Sequence, residues 1–277
     1  MLVVALAIAS GCASAPTIPP GRPGEYVQDE TSQAYFEGVM RRCVALAFTA
    51  QMRVRGSVEG HLLDRRVELS ADRVSGSLRL ESVEPTRAPF TFTVKDTFRP
   101  EGDPGWTLVS PQGKWVVRGD DSRAAIETIV SVPLSADEFL WVMTGCSPNM
   151  SGHLLIGQRF GPTLMKVSLQ DARPLDVELR RENITSPWTL YAMSRSVPSR
   201  MLVWRMEVDE RVSGIHQQFR IVSRQSSGAE SAAFDVRVSL TRIAVNPRLG
   251  PDTFSPTIPA AARVVPLETV RRGTFEH

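Results

Sequence analysis

Short runs in which apolar and polar residues strictly alternate decide most of what this chain can become. Met52, Val54, Gly56 and Val58 alternate with Gln51, Arg53, Arg55 and Ser57. Leu78 and Leu80 alternate with Ser77, Arg79 and Glu81, and Phe90, Phe92 and Val94 with Thr91, Thr93 and Lys95. The same period returns at Val177 and Leu179, from Leu202 to Val208 and from Val236 to Leu240. A period of two sends successive side chains to opposite faces, so each run is a strand with one apolar face. One-sided strands belong to antiparallel sheet, and the continuous apolar runs of buried parallel strands are missing. Turn-forming clusters separate the runs, among them Asp72-Arg73, Glu84-Pro85-Thr86, Pro104-Gly105 and Ser226-Ser227-Gly228.

Three segments carry helical spacing instead. Thr31 to Arg42 reads as an amphipathic helix and Ser122 to Val130 as a short one. Ser135 to Thr144 is the clearest, with Ser135 as cap and Glu138 completing a capping box. Asp120-Asp121 reads as the cap of the second helix rather than as a catalytic carboxylate pair. Two short helices between β-rich halves fit a curved sheet better than a sandwich. The expected fold is mainly β: a single strongly curved antiparallel sheet, an incomplete barrel of about ten or eleven strands, with short helices covering its concave face.

The N-terminus supplies a different kind of signal. An apolar run, Leu2 to Ile8, leads into Ala9-Ser10-Gly11-Cys12. An apolar stretch ending in small residues is a secretory signal, and a Cys directly after it resembles the lipobox of bacterial lipoproteins. The resemblance implies that Cys12 becomes the first mature residue and carries acyl chains (palmitate among them), and that Ala13 in place of Asp sends the protein to the outer membrane, facing the periplasm. The alternative is a buried N-terminal element with a chance Cys. Pro16, Pro19, Pro20, Gly21, Pro23 and Gly24 follow as a semi-extended tether. The expected organisation is a signal peptide over 1–11, lipidated Cys and tether over 12–27, one domain over 28–245 and a Pro-rich extension over 246–277, whose place the sequence leaves open. The 277 residues carry a net charge of +2 with scattered arginines, which speaks against nucleic acid as a partner. With Cys12 lipidated, Cys43 and Cys146 remain as an even pair, either a disulfide or two buried thiols.

The segment PQGKWVVRGDDSRAAIETIVSVPLSADEFLWVMTG, residues 111–145, runs strand, helix, Val132-Pro133-Leu134 and capped helix. It resembles the LolB branch of the LolA/LolB-like lipoprotein carriers, with Arg53-Val54-Arg55-Gly56 opening the sheet before it. The resemblance implies a half-barrel under a helical lid, with an apolar cavity for the acyl chains of a lipid or lipoprotein and a periplasmic donor protein as a further partner. Candidate lining residues are Val54, Leu80, Phe92, Leu108, Val117, Phe139, Trp141, Met143 and Trp204; ordinary core is the alternative for each. The branch uses an exposed Leu after its third strand to place cargo in the membrane, and Pro85-Thr86-Arg87-Ala88 offers none.

No catalytic pattern stands out. His61, His153, His216 and His277 are far apart, and none has metal-ligand spacing with a second His or Cys. A G-x-S-x-G elbow and a Gly-rich phosphate loop are both missing. The chain is therefore expected to be a carrier or binder and not an enzyme, without cofactor or metal. A scaffold or assembly lipoprotein with a closed core is the second reading. A glycan-binding or hydrolytic lipoprotein, resting on Trp115, Trp188, Trp204 and Tyr191, is the third.

Overall fold

The alternating segments become strands of a single sheet. In the computed structural model the described residues are 24–27, 29–40, 45–83, 90–95, 105–110, 114–132, 134–146, 154–170, 175–197, 202–212, 215–225, 232–250 and 252–273. Cys12, most of the tether, Cys43 and the Pro85–Ala88 loop lie outside them.

In chain order the elements are β1 (Glu25–Val27), α1 (Asp29–Met40), β2 (Ala47–Val58), β3 (His61–Asp72), β4 (Ser77–Ser82), β5 (Thr91–Val94), β6 (Trp106–Val109) and β7 (Trp115–Gly119). Helices α2 (Ser122–Val130) and α3 (Ala136–Thr144) follow. Then come β8 (Leu154–Phe160), β9 (Leu164–Gln170), β10 (Leu175–Arg180), β11 (Thr189–Val197), β12 (Leu202–Val212), β13 (Ile215–Gln225), β14 (Ala232–Val245), β15 (Arg263–Val264) and α4 (Leu267–Gly273).

The seam of the sheet is β14 against β2, paired from Phe234↔Val58 to Val245↔Phe48. Two antiparallel meanders run outward from it, β2 to β7 on one side and β14 back to β8 on the other, with β1 beyond β8 and β15 beyond β7. The sheet is open, as expected, and the described residues give it 15 strands rather than ten or eleven. Part of the difference lies at its edges: β1 has 3 residues and β15 only 2, too few to leave a periodic trace. Apolar residues from Val27 on β1 to Val117 on β7 join one core cluster with residues of α2 and α3. A flat sheet of this width cannot bring its two edges to one core, so the sheet bends around the helices.

The helices fall where their signals place them. Asp121 caps α2 by accepting the Arg123 N–H at 3.0 Å. The Glu138 carboxylate accepts the Ser135 N–H at 2.9 Å, the returning half of the capping box. The Ser122 hydroxyl accepts the Ala136 N–H at 3.0 Å and so ties the start of α3 to the start of α2. Helix α1 begins at Asp29, slightly before the expected Thr31. The extension returns to the sheet. Arg79 donates to the Thr253 carbonyl at 2.8 Å, β15 pairs in parallel with β7, and Leu267 and Val270 are buried.

Gly56 sits on the seam with φ +152, where an added Cβ would lie 2.0 Å from the Asp235 carbonyl oxygen. The obstacle is backbone and cannot rotate away. Gly56→Ala is expected to cost at least about 2 kcal/mol, from the strained φ and the clash together. Urea denaturation checks this as a lower midpoint at unchanged slope.

Candidate functional site

The candidate site is the concave face beneath α2 and α3. Leu80, Phe92, Leu108 and Val117 are successive cross-strand partners on β4, β5, β6 and β7, so they form one apolar row. Val54 lies on β2 and Trp204 on β12, and α3 contributes Phe139, Trp141 and Met143. All nine residues predicted as lining are buried, none more than 7% exposed, and all belong to the same cluster. The roof presses directly on the sheet. Two surface grooves lie elsewhere. One of about 430 Å³ is lined by Arg180, Arg181, Ser186 and Pro187. The other, about 860 Å³, is lined by Arg55, Asp64, Arg220, Asp235 and Arg237 on the charged face of the seam. There the hydrogen-bonded Arg53 guanidinium holds the Asp64 carboxyl down to about 2.

Polar contacts hold the roof in place, and their partners leave no local signal in the sequence. Glu138, 3% exposed, sits between Arg123 at 2.9 Å and Arg195 of β11 at 3.1 Å. Arg195 shares the inner face because it is the cross-strand partner of Trp204. His216 of β13 is fully buried, and its Nδ1 lies 2.6 Å from the Val142 carbonyl of α3, which fixes that nitrogen as the donor. Burial, aided by the nearby Arg211 charge, pushes this imidazole down to about 3. Gly145 makes the contact possible: an added Cβ there would lie 2.8 Å from His216 Nε2.

Other candidates separate. Trp188 and Trp204 are buried, so they offer no stacking platform for a sugar; Trp188 is taken up by Tyr35 at 5.9 Å and by Arg181 at 4.5 Å. Cys146 is buried. Among the described residues no group of His, Cys, Asp and Glu is placed to hold a metal ion. No described helix is long and apolar enough to cross a membrane.

No family model matches the sequence, and no curated protein does. Solved structures do match in shape. An outer membrane lipoprotein-sorting protein domain from Vibrio parahaemolyticus superposes with a TM-score of 0.52 at 11% identity, covering 88% of this chain and 100% of that one. The likeness is one of fold. A DUF1329 family protein from Desulfovibrio piger matches with a TM-score of 0.47 at 11% identity, over 81% of this chain and 97% of that one. The half-barrel implied by the resemblance to the LolA/LolB-like carriers is thus the architecture observed: one open antiparallel sheet with helices on its concave face.

Proposed function

We propose that this chain is an envelope lipoprotein, anchored through Cys12 and facing the periplasm from the outer membrane, that shelters acyl chains of a lipid or lipoprotein on its concave face in the manner of the LolB branch. In this reading it takes cargo from a periplasmic donor protein and performs no catalysis. The observation that carries the reading is the apolar row from Leu80 to Val117 lying with Phe139, Trp141 and Met143 in one cluster under a short-helix roof. Each CH₂ sheltered there contributes about 0.8 kcal/mol, so a partly covered chain already binds usefully. The Vibrio parahaemolyticus neighbour, an outer membrane lipoprotein-sorting protein domain, supports the same direction. Cys43 and Cys146 form a disulfide in this proposal; two reactive thiols in the unreduced protein would refute it.

Mass spectrometry of the full chain carrying Cys12→Ser tests the reading. Lipids or acylated peptides that co-purify at a defined stoichiometry support it. A second reading, a scaffold lipoprotein with a closed core, is favoured by the tight burial of all nine lining residues. Lipid-free recovery, with no uptake of added acyl chains, would decide for the scaffold.

A further inference from the structure

Resting on that reading, we propose that Trp204 and Ser223 form a polar subsite on the concave face that holds the carbonyl or carboxylate oxygen of a bound acyl chain. The two residues are direct cross-strand partners on β12 and β13, so their side chains leave the sheet side by side on the same face. Both are buried, Trp204 at 2% and Ser223 at 0% exposure. Neither the Trp204 Nε1–H nor the Ser223 hydroxyl has a hydrogen-bond partner among the described residues. A single buried polar atom without a partner costs about 1–3 kcal/mol, and here two belong to paired residues.

The chemistry of the pair restricts its partner. An indole N–H donates only, and a hydroxyl beside it turns to donate to the same oxygen. The partner is therefore an acceptor. The surroundings add a charge preference. Arg195 is the next residue in the row, opposite Trp204, and it shares one carboxylate, Glu138, with Arg123. A guanidinium group therefore stands next to the subsite, which suits an acceptor. The rest of the row is apolar, with Leu175 beyond Arg195 and Phe234 beyond Ser223. An acceptor-headed ligand with an apolar body matches this arrangement, and an acyl chain held by its head oxygen has both. The ion pair between Glu138 and Arg195 places the start of α3 over this row, so the head would lie under the first turn of the roof.

Displacement of a fluorescent apolar reporter from the full Cys12→Ser chain tests the proposal, with laurate, methyl laurate and dodecane as probes. Laurate and methyl laurate are expected to bind at least several-fold tighter than dodecane. Ser223→Ala is expected to weaken both headed probes about 3- to 10-fold and to leave dodecane unchanged. Loss for laurate alone would assign the site to a carboxylate, and loss for both to a carbonyl oxygen; either supports the proposal. Ser223→Ala is also expected to raise the ligand-free melting temperature, because it removes an unpartnered hydroxyl. A lowered melting temperature would mean that the hydroxyl serves the fold through a bound water, and would overturn the proposal. Trp204→Phe gives the second test on the donor with little change of shape. Equal binding of all three probes sinks this inference while keeping the carrier reading; no binding of any of them sinks both.

Discussion

Glu138→Ala is expected to destabilise the protein by about 3–5 kcal/mol, among the largest effects of any single substitution outside the apolar core. The carboxylate is 3% exposed, and its partners Arg123 and Arg195 are 21% and 12% exposed. Removing it takes away the anion that joins the Arg123 and Arg195 guanidinium groups. It also frees the Ser135 N–H and dissolves the cap of α3. Glu138→Gln separates the two contributions, since the amide oxygen can still accept from Ser135 but carries no charge. An exposed pair provides the control: Arg220 and Asp235 are 47% and 38% exposed, and Asp235→Ala is expected to cost no more than about 1 kcal/mol. Urea denaturation of the three variants checks the contrast. Equal costs for Glu138→Ala and Asp235→Ala would show that the roof is not fastened through Glu138.

The same residue shows how far the sequence could be read. Its place in a capping box was legible, because the box spans Ser135 to Glu138 and needs only local geometry. Its ion pair with Arg195 was not, because that contact depends on which way Arg195 points. In β11 the alternation is broken by a bulge where Glu178 and Leu179 face Ala192 and Leu190, so simple parity assigns no face to this strand. On β2 and β4 the predicted inward residues Met52, Val54, Leu78 and Leu80 are buried, although Ser77 is buried with them and Gly56 and Val58 are only half-buried. Even so, period two did not show every buried group. Glu178 points away from the apolar cluster and is still buried, because Arg205 covers it. The returning tail was illegible for another reason: two paired residues, Arg263 and Val264, carry no period at all. The nine residues named for the concave face all belong to one buried cluster. Whether such a cluster is a lined cavity or a packed core is a matter of how closely the roof approaches, and residue type does not encode that distance.

His216 is expected to make stability fall steeply on mild acidification. In the folded protein its imidazole is pushed down to about 3, while in the unfolded chain it titrates near the ordinary 6.5. Below pH 6.5 the unfolded chain therefore binds a proton that the folded protein refuses, and stability drops as pH falls toward 3. The slope contributed by this residue approaches about 1.4 kcal/mol per pH unit, or about 4–5 kcal/mol across the whole interval. The loss centres on α3, because the ring that must charge is the one donating to the Val142 carbonyl. His216→Asn keeps an N–H donor near the Nδ1 position but cannot take up a proton. Its stability at pH 7 is expected to be lower than the parent's, through the volume lost beside Gly145, and its slope between pH 6 and pH 4 to be flatter by most of that amount. Asp64 and Asp235, whose carboxyls are held low by Arg53 and Arg220, add their own acid dependence to both proteins alike and cancel in the comparison. Parallel stability profiles for parent and variant between pH 6 and pH 4 would mean that His216 is already charged in the folded state, and the neutral contact between β13 and the roof would have to be abandoned.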